Sequence, residues 1–252
     1  MSKIEQPRQA GLRGKMRADT GQEQTAASAG PGQPVAANEP GALVGYFGYG
    51  SLVNRRTLAA GVVAAIPARL AGWRRTWRPR PDMGPTPGVT LPDGLTPALL
   101  SAHREEGSAI DGLLVIDLAV NLPVIDAREF RYHRRDITLA ELTFDAGRTE
   151  RDTGLRLDPG TWLHVYEART EHPETVGPSP ILRSYLDAVM QGFLGEFGEG
   201  GVHRFVAETG AFHMPIHEDR DRPLYPRAVT LSAAETELFD LALGRRTPPA
   251  GN

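Results

Sequence analysis

The clearest pattern in the chain is Leu43–Leu58, an apolar and aromatic run, LVGYFG, that breaks at Gly48-Tyr49-Gly50-Ser51 and continues into a short segment with helical character. Further on, Ala64–Arg78 alternates apolar residues with arginine in a strand-like way, with Trp73 and Trp77 four apart. The following Pro81–Pro97 holds five prolines and reads as a surface loop. Ile110–Leu118, IDGLLVIDL, has the continuous apolar character of a strand buried on both faces. After Ile125–Tyr132 a loosely alternating run extends through Phe144, and Thr161–Arg169, TWLHVYEAR, alternates again. Residues 43–169 are therefore expected to be mostly strands, with little room for the helical crossovers of a parallel sheet.

The last third changes period. Ser179-Pro180 reads as an N-cap with proline at the first helical position, and Ile181, Leu182, Tyr185, Leu186, Val189 and Phe193 fall on one helical face. Gly192, Gly195 and Gly198 loosen the end of that helix, a second short helix is expected over Val202–Thr209, and a third starts at the capping-box spacing Ser232–Glu235 and ends near Gly244. Between them Phe212–Arg227 has no regular period. At the other end, residues 1–42 are rich in Gln, Ala, Gly, Pro and Ser with almost no large apolar side chains. Such a segment cannot bury enough surface to offset its ordering entropy, so a disordered tail over 1–42 and a folded domain over 43–246 are expected.

Composition narrows the chemistry mainly by what it lacks. The 252 residues include no cysteine, which excludes a thiol nucleophile, a disulfide and a thiolate metal site. Lysine occurs only at Lys3 and Lys15, ahead of the folded part, so P-loop and Schiff-base lysines are excluded too. A net charge of −3 gives no reason to expect a polyanion as partner. The cluster Arg69, Arg74, Arg75, Arg78 and Arg80, interleaved with tryptophan, is compatible with nucleic-acid contact, but a solvated strand face is the plainer reading. No run of 18 apolar residues exists to cross a membrane, and the N-terminus lacks the apolar core of a secretory signal, so the expected location is cytoplasmic. Oligomeric state is left open.

Three groups carry candidate chemistry. The Gly48–Ser51 turn brings the backbone within reach of a ligand, and free N–H groups there would hold a carboxylate or an oxyanion, with Ser51 and Asn54 as candidate caps. Ser51 also offers a hydroxyl, although GYGSL is not the G-x-S-x-G elbow of serine hydrolases. His213 and His217, four apart, have metal-ligand spacing, against which Met214-Pro215 between them argues by breaking a regular helix. Glu129, flanked by Ala127 and Phe130, would have a carboxyl pKa raised toward neutrality if drawn into an apolar cleft, which suits an acid/base group. Arg128, Arg131, Arg134 and Arg135 pull the other way, so this reading needs their guanidinium groups engaged elsewhere.

In order along the chain, Tyr46-Phe47-Gly48-Tyr49-Gly50-Ser51-Leu52, the Asp126–Glu129 segment followed by Tyr132 and Arg134, Val165-Tyr166, and the Pro178–Leu186 helix start resemble gamma-glutamylcyclotransferase-like proteins over about residues 43–210. The resemblance implies an α+β fold, a compact mixed β-barrel with peripheral helices and a cavity at one end. It further implies that the turn, Tyr49, Gly50, Ser51 and Leu52, holds a γ-glutamyl group, with Tyr132 or, in preference, Tyr166 on its strand lining the cavity and Glu129 as general acid/base. Closure of a γ-glutamyl amide to 5-oxoproline with release of an amine requires no metal or cofactor from the protein. The leaving partner stays open, because the 79–97 insertion and the segment from 211 onward both depart from the family pattern. A non-catalytic γ-glutamyl-binding module and a Ser51-dependent hydrolase are the alternatives.

Overall fold

A computed structural model describes residues 41–86, 88–144, 157 and 160–244. Most of the expected 1–42 tail, and the chain beyond Gly244, lie outside the described residues. Ala42 is already tied to the domain, because its carbonyl accepts from Ala119 N at 2.8 Å.

The strands are β1 (Leu43–Gly48), β2 (Ala64–Arg78), β3 (Leu99–Leu118), β4 (Tyr132–Ile137), β5 (Leu142–Phe144), β6 (Trp162–Ala168), β7 (Ile181–Leu182), β8 (Thr209–Gly210) and β9 (Ile216–His217). Helices are α1 (Leu122–Arg128), α2 (Arg183–Glu208) and α3 (Ala233–Ala242). The main sheet runs β4-β6-β1-β3-β2-β5, with β8 on β2, and β7 and β9 form a separate pair. Within the main sheet β1–β6 and β2–β8 are parallel and the other pairs antiparallel.

The long β2–β3 ribbon is bent at its middle. Its register slips between Ala71 and Trp73, and Gly72 (φ +76°) and Gly107 (φ +79°) take up the left-handed backbone that a side chain would resist. The bend curls the outer half of β3 toward the far end of the sheet. There, side chains stand in for a ladder. Tyr132 Oη donates to Leu100 O (3.0 Å), Ser101 Oγ accepts from Ala168 N (3.0 Å), and Arg104 reaches Asp136 O (3.3 Å) and the Glu141 carboxylate. The expected barrel is thus a curled, mostly antiparallel sheet without hydrogen-bonded closure among the described residues.

Leu113, Leu114, Val115 and Ile116 are fully buried, which explains why this stretch reads as continuously apolar. Leu186, Val189, Met190 and Phe193 of α2 complete the core against Tyr46, Phe47, Trp73 and Trp77. α2 begins three residues later than the Ser-Pro signal suggests, since Ile181 N donates to Pro215 O and Ile181–Leu182 pair with β9. Gly198 (φ 65°, ψ −170°) kinks it between the two helical segments expected there. α3 starts on the anticipated Ser232–Glu235 capping box. No helix among the described residues is long and apolar enough to cross a membrane. His213 sits in a turn and His217 on β9, so they share no helix face.

Candidate active site

Where β1 ends, the chain turns into a short 3-10 segment, Ser51–Val53, and α2 fastens it in place. Asn54 Nδ2 donates to Ala188 O (3.0 Å) and Gln191 Oε1 (3.1 Å), and Thr57 Oγ1 donates to Ser51 O (2.5 Å). The packing leaves no room for a side chain at two glycines. A Cβ on Gly192 would stand 2.5 Å from Asn54 N, and one on Gly50 would stand 2.8 Å from the Tyr185 hydroxyl oxygen. The Ser51 backbone N–H acts on that same hydroxyl, favouring its ionised form against the effect of burial. From below, Arg75 holds the turn: its Nη1 donates to Tyr49 O and Asp111 O (both 3.1 Å), its Nε donates to Thr209 Oγ1 (2.8 Å), and its guanidinium lies over Phe193 and Phe205. Arg75 is fully buried, not part of a solvated strand face, and loss of hydration pulls its pKa down to about 10.

Glu129 caps the C-terminal end of α1, with its N–H donating to Ile125 O and its carbonyl accepting from Tyr132 N, both at 2.8 Å. Its side chain is 16% exposed. Burial pushes the carboxyl above its ordinary range, opposed chiefly by Arg128 and then by Arg227. Arg128 Nε lies 3.0 Å from Glu129 Oε1 while its other nitrogens donate to Ser51 Oγ (3.1 Å) and Thr57 O (2.8 Å), so one guanidinium joins the acid to the turn. The other three nearby arginines are engaged elsewhere. Arg131 donates to Thr86 Oγ1 and Gly84 O, Arg134 faces Asp126 and the Trp162 ring, and Arg135 pairs with Glu167.

Ser51, Arg128, Glu129 and Tyr132 border one cavity of about 170 Å³, room for a small organic molecule. Of the other residues expected there, Gly50 backs it through its contact with Tyr185, whereas Leu52 is buried in the core. Tyr49 and Tyr166 are not on the lining. Tyr49 Oη donates to Tyr166 O (2.5 Å) and Tyr166 Oη to Asp126 Oδ1 (3.0 Å), so both brace the wall. Of the two tyrosines weighed for the lining, Tyr132 is the one present.

The cavity also has walls that the sequence motifs do not indicate. Arg80, Thr86 and Val89 come from the 79–97 insertion, Tyr185 from α2, and Tyr225 and Arg227 from the irregular segment after β9. That last segment is held firmly. Asp219 accepts from Ser184 N, Ser184 Oγ and Leu224 N at 2.5–2.9 Å, and Arg220 pairs with Asp187 and Asp240, to which buried Arg183 also bonds. Helical spacing puts Tyr185 on the core face, and only its hydroxyl marks it out. Tyr225-Pro226-Arg227 carries no periodic signal, as is usual for loop residues around a site. Burial raises the pKa of Tyr132 and Tyr185, which keeps both as neutral hydroxyl donors.

No protein-family model matches the chain, and no curated protein matches it. Among solved structures, the chain is similar in fold to a gamma-glutamyl cyclotransferase at 12% identity and a TM-score of 0.48, covering 79% of this chain and 99% of the other. It is also similar to an uncharacterized protein from Homo sapiens (12%, 0.45; 79% and 98%) and to a yeast gamma-glutamyl cyclotransferase specific to glutathione (14%, 0.41; 81% and 97%). At such identities the function has to be argued from the cavity itself.

Proposed function

We propose that this chain is a gamma-glutamylcyclotransferase-type enzyme, converting a γ-glutamyl amide into 5-oxoproline and a free amine. The observation that carries the proposal is the Ser51–Arg128–Glu129 linkage on a single small cavity: a proton-transfer group, a positive charge and a backbone turn within reach of one ligand.

The substrate's α-ammonium gives a proton to the Glu129 carboxylate, and the resulting amine attacks the γ-carbonyl carbon of the same molecule. A C–N bond forms, closing a five-membered ring and placing negative charge on the former carbonyl oxygen. Collapse of that intermediate breaks the original amide C–N bond as the Glu129 carboxylic acid gives its proton to the leaving nitrogen. The regenerated carboxylate then takes the second proton from the ring nitrogen and passes it to the departing amine, which leaves as an ammonium. Burial, by raising the carboxyl pKa, strengthens Glu129 as the base of the first step, and its protonated form is the acid of the second. The enzyme's further contribution is conformational: folding the substrate so that amine and carbonyl meet converts an extended chain into a near-attack geometry. The Ser51 N–H, the Tyr185 hydroxyl and Arg128 are the donors nearest the turn for the α-carboxylate or the oxyanion. The atoms balance without a cofactor, an external nucleophile or water.

A panel of γ-glutamyl amino acids, peptides and amines, read out as 5-oxoproline, tests this directly. Product formation by the wild type and its loss in Glu129→Gln are expected. Full activity in that variant would remove Glu129 from the reaction. The Arg128–Glu129 contact favours a second reading, a γ-glutamyl-binding module, because an ion pair resists the protonation that catalysis needs. Thermal stabilisation by the panel compounds with no product would select it.

A further inference from the structure

Arg80 and Arg131 line the cavity and have no role in the scheme above. Arg80 leaves β2 at the start of the proline-rich insertion, and its Nε donates to Pro97 O (3.1 Å). Arg131 follows Glu129 by two residues, is 6% exposed, lies over the Phe130 ring, and donates to Gly84 O and to Thr86 Oγ1. Both reach Thr86, with Arg80 Nη1 3.4 Å from the Thr86 Oγ1 that Arg131 contacts at 2.9 Å. The two guanidinium groups are therefore neighbours, and Arg80 disfavours the charge on Arg131.

Among the described residues neither arginine has a carboxylate partner, although other arginines around the fold do, including Arg69, Arg128 and Arg183. The Nε of Arg131 is buried with no hydrogen-bond acceptor. Placing two like charges together, one buried and one partly buried, without a counter-ion costs stability unless an anion arrives. Neither charge is among those acting on the Glu129 carboxyl, whereas Tyr132, whose hydroxyl is fixed on Leu100 O, senses Glu129 and Arg80 both.

We infer that Arg80 and Arg131, oriented by Thr86, form a carboxylate subsite for the amine half of the substrate. The inference rests on the cyclotransferase reading and deepens it: the leaving group is an amino acid or peptide bearing a carboxylate, rather than a simple alkylamine. A planar carboxylate suits paired guanidinium groups, and the insertion that departs from the family pattern supplies Arg80 and Thr86.

The test compares γ-glutamylalanine with γ-glutamylethylamine, which differ only by that carboxylate, on the full chain. The wild type should favour the acid by about tenfold or more in kcat/KM, the worth of one charge-assisted hydrogen bond, and Arg80→Gln and Arg131→Gln should each bring that ratio toward one. Arg80→Lys, retaining charge without the fork, should fall between. Preference for the ethylamine in the wild type, or an unchanged ratio in both glutamine variants, overturns the subsite. Arg80 is only partly buried, so its variant decides the matter where Arg131→Gln fails to fold. If neither compound yields 5-oxoproline, the cyclotransferase reading fails separately, and the ratio of dissociation constants for the same two compounds judges the arginine pair by the same criteria.

Discussion

The Arg128 guanidinium stands 3.0 Å from the Glu129 carboxylate yet does not overcome the effect of burial on it, since that acid's pKa remains raised. A carboxyl that burial pushes toward its protonated form despite a neighbouring guanidinium is a better base than an exposed carboxylate, which is what a proton shuttle requires.

Replacement of Glu129 by glutamine should therefore separate activity from stability. Formation of 5-oxoproline is expected to fall by about 10²–10⁴-fold, the usual worth of a general acid/base. Because the folded-state pKa lies above the unfolded one, the folded protein holds this proton longer, and its stabilising contribution is lost as pH rises through the folded value. At pH 8 the ionised carboxylate costs stability that a neutral amide in its place would not, so the variant should melt no lower than the wild type there. The comparison should shift in the wild type's favour toward pH 4. Melting curves across that range check the sign, and a lower variant melting temperature at pH 8 would mean that the Arg128 contact outweighs burial.

Gly50 and Tyr185 give a second, coupled prediction. A methyl at position 50 would lie 2.8 Å from the tyrosine oxygen, closer than real Cβ contacts, so Gly50→Ala must displace either the turn or the ring. We expect a loss of about 1–3 kcal/mol and a larger loss of activity. Tyr185→Phe removes the obstructing oxygen, so the double variant should regain stability relative to Gly50→Ala alone. A double-mutant cycle in denaturant measures the coupling, and strict additivity would contradict so close an approach of the two residues.

Arg75 bears on the same turn from the core side. Arg75→Met keeps much of the volume between Phe193 and Phe205 but leaves the carbonyls of Tyr49 and Asp111 without this donor. Each carbonyl left without a partner costs about 1–3 kcal/mol, offset in part because a buried charge has also been removed. A net loss of about 2–4 kcal/mol by chemical denaturation is expected, with a raised KM in the fraction that folds. Unchanged KM would show that Tyr49 O needs no such tether.

The sequence makes the strands easy to read and the closure hard. Leu113–Ile116 and Trp162–Ala168 carry their burial in their letters, and the 232–235 capping box is a local signal that local physics honours. The bend at Gly72 and Gly107 depends on two glycines far apart in the chain meeting across a ribbon, and no period records it. α1 leaves no signal because a seven-residue helix opening on Leu-Pro is too short to show a repeat. At the candidate site, the Ser51 turn and Glu129 stand out as candidates in the residues themselves, while Tyr132 enters only through the family resemblance of the 126–134 motif. Tyr185 and Arg75 are hidden by position: a tyrosine on an apolar helical face and an arginine in an alternating strand look like core edge and solvent. Arg80, Arg131 and Arg227 reach the cavity only through loops whose course is set by tertiary contacts such as Asp219 with Ser184.

One buried group should leave its mark on acid stability. His164 on β6 has no exposed surface, is surrounded by the rings of Tyr46, Trp162 and Tyr166, and has no hydrogen-bond partner for either ring nitrogen. Burial, with a smaller contribution from Arg134, lowers its pKa to about 3. The unfolded histidine, near 6.5, takes up its proton first, so acidification through the interval from 6.5 to about 3 drains stability that is fully present above it. One proton of difference corresponds to about 1.4 kcal/mol per pH unit at most. His164→Phe removes that proton while leaving the acidic side chains in place. The slope of unfolding free energy against pH between about 6 and about 4 should therefore be shallower in the variant by up to that amount, measured by denaturant titration at each pH. Equal slopes would mean that position 164 is hydrated or partnered in solution and already protonates in the folded state.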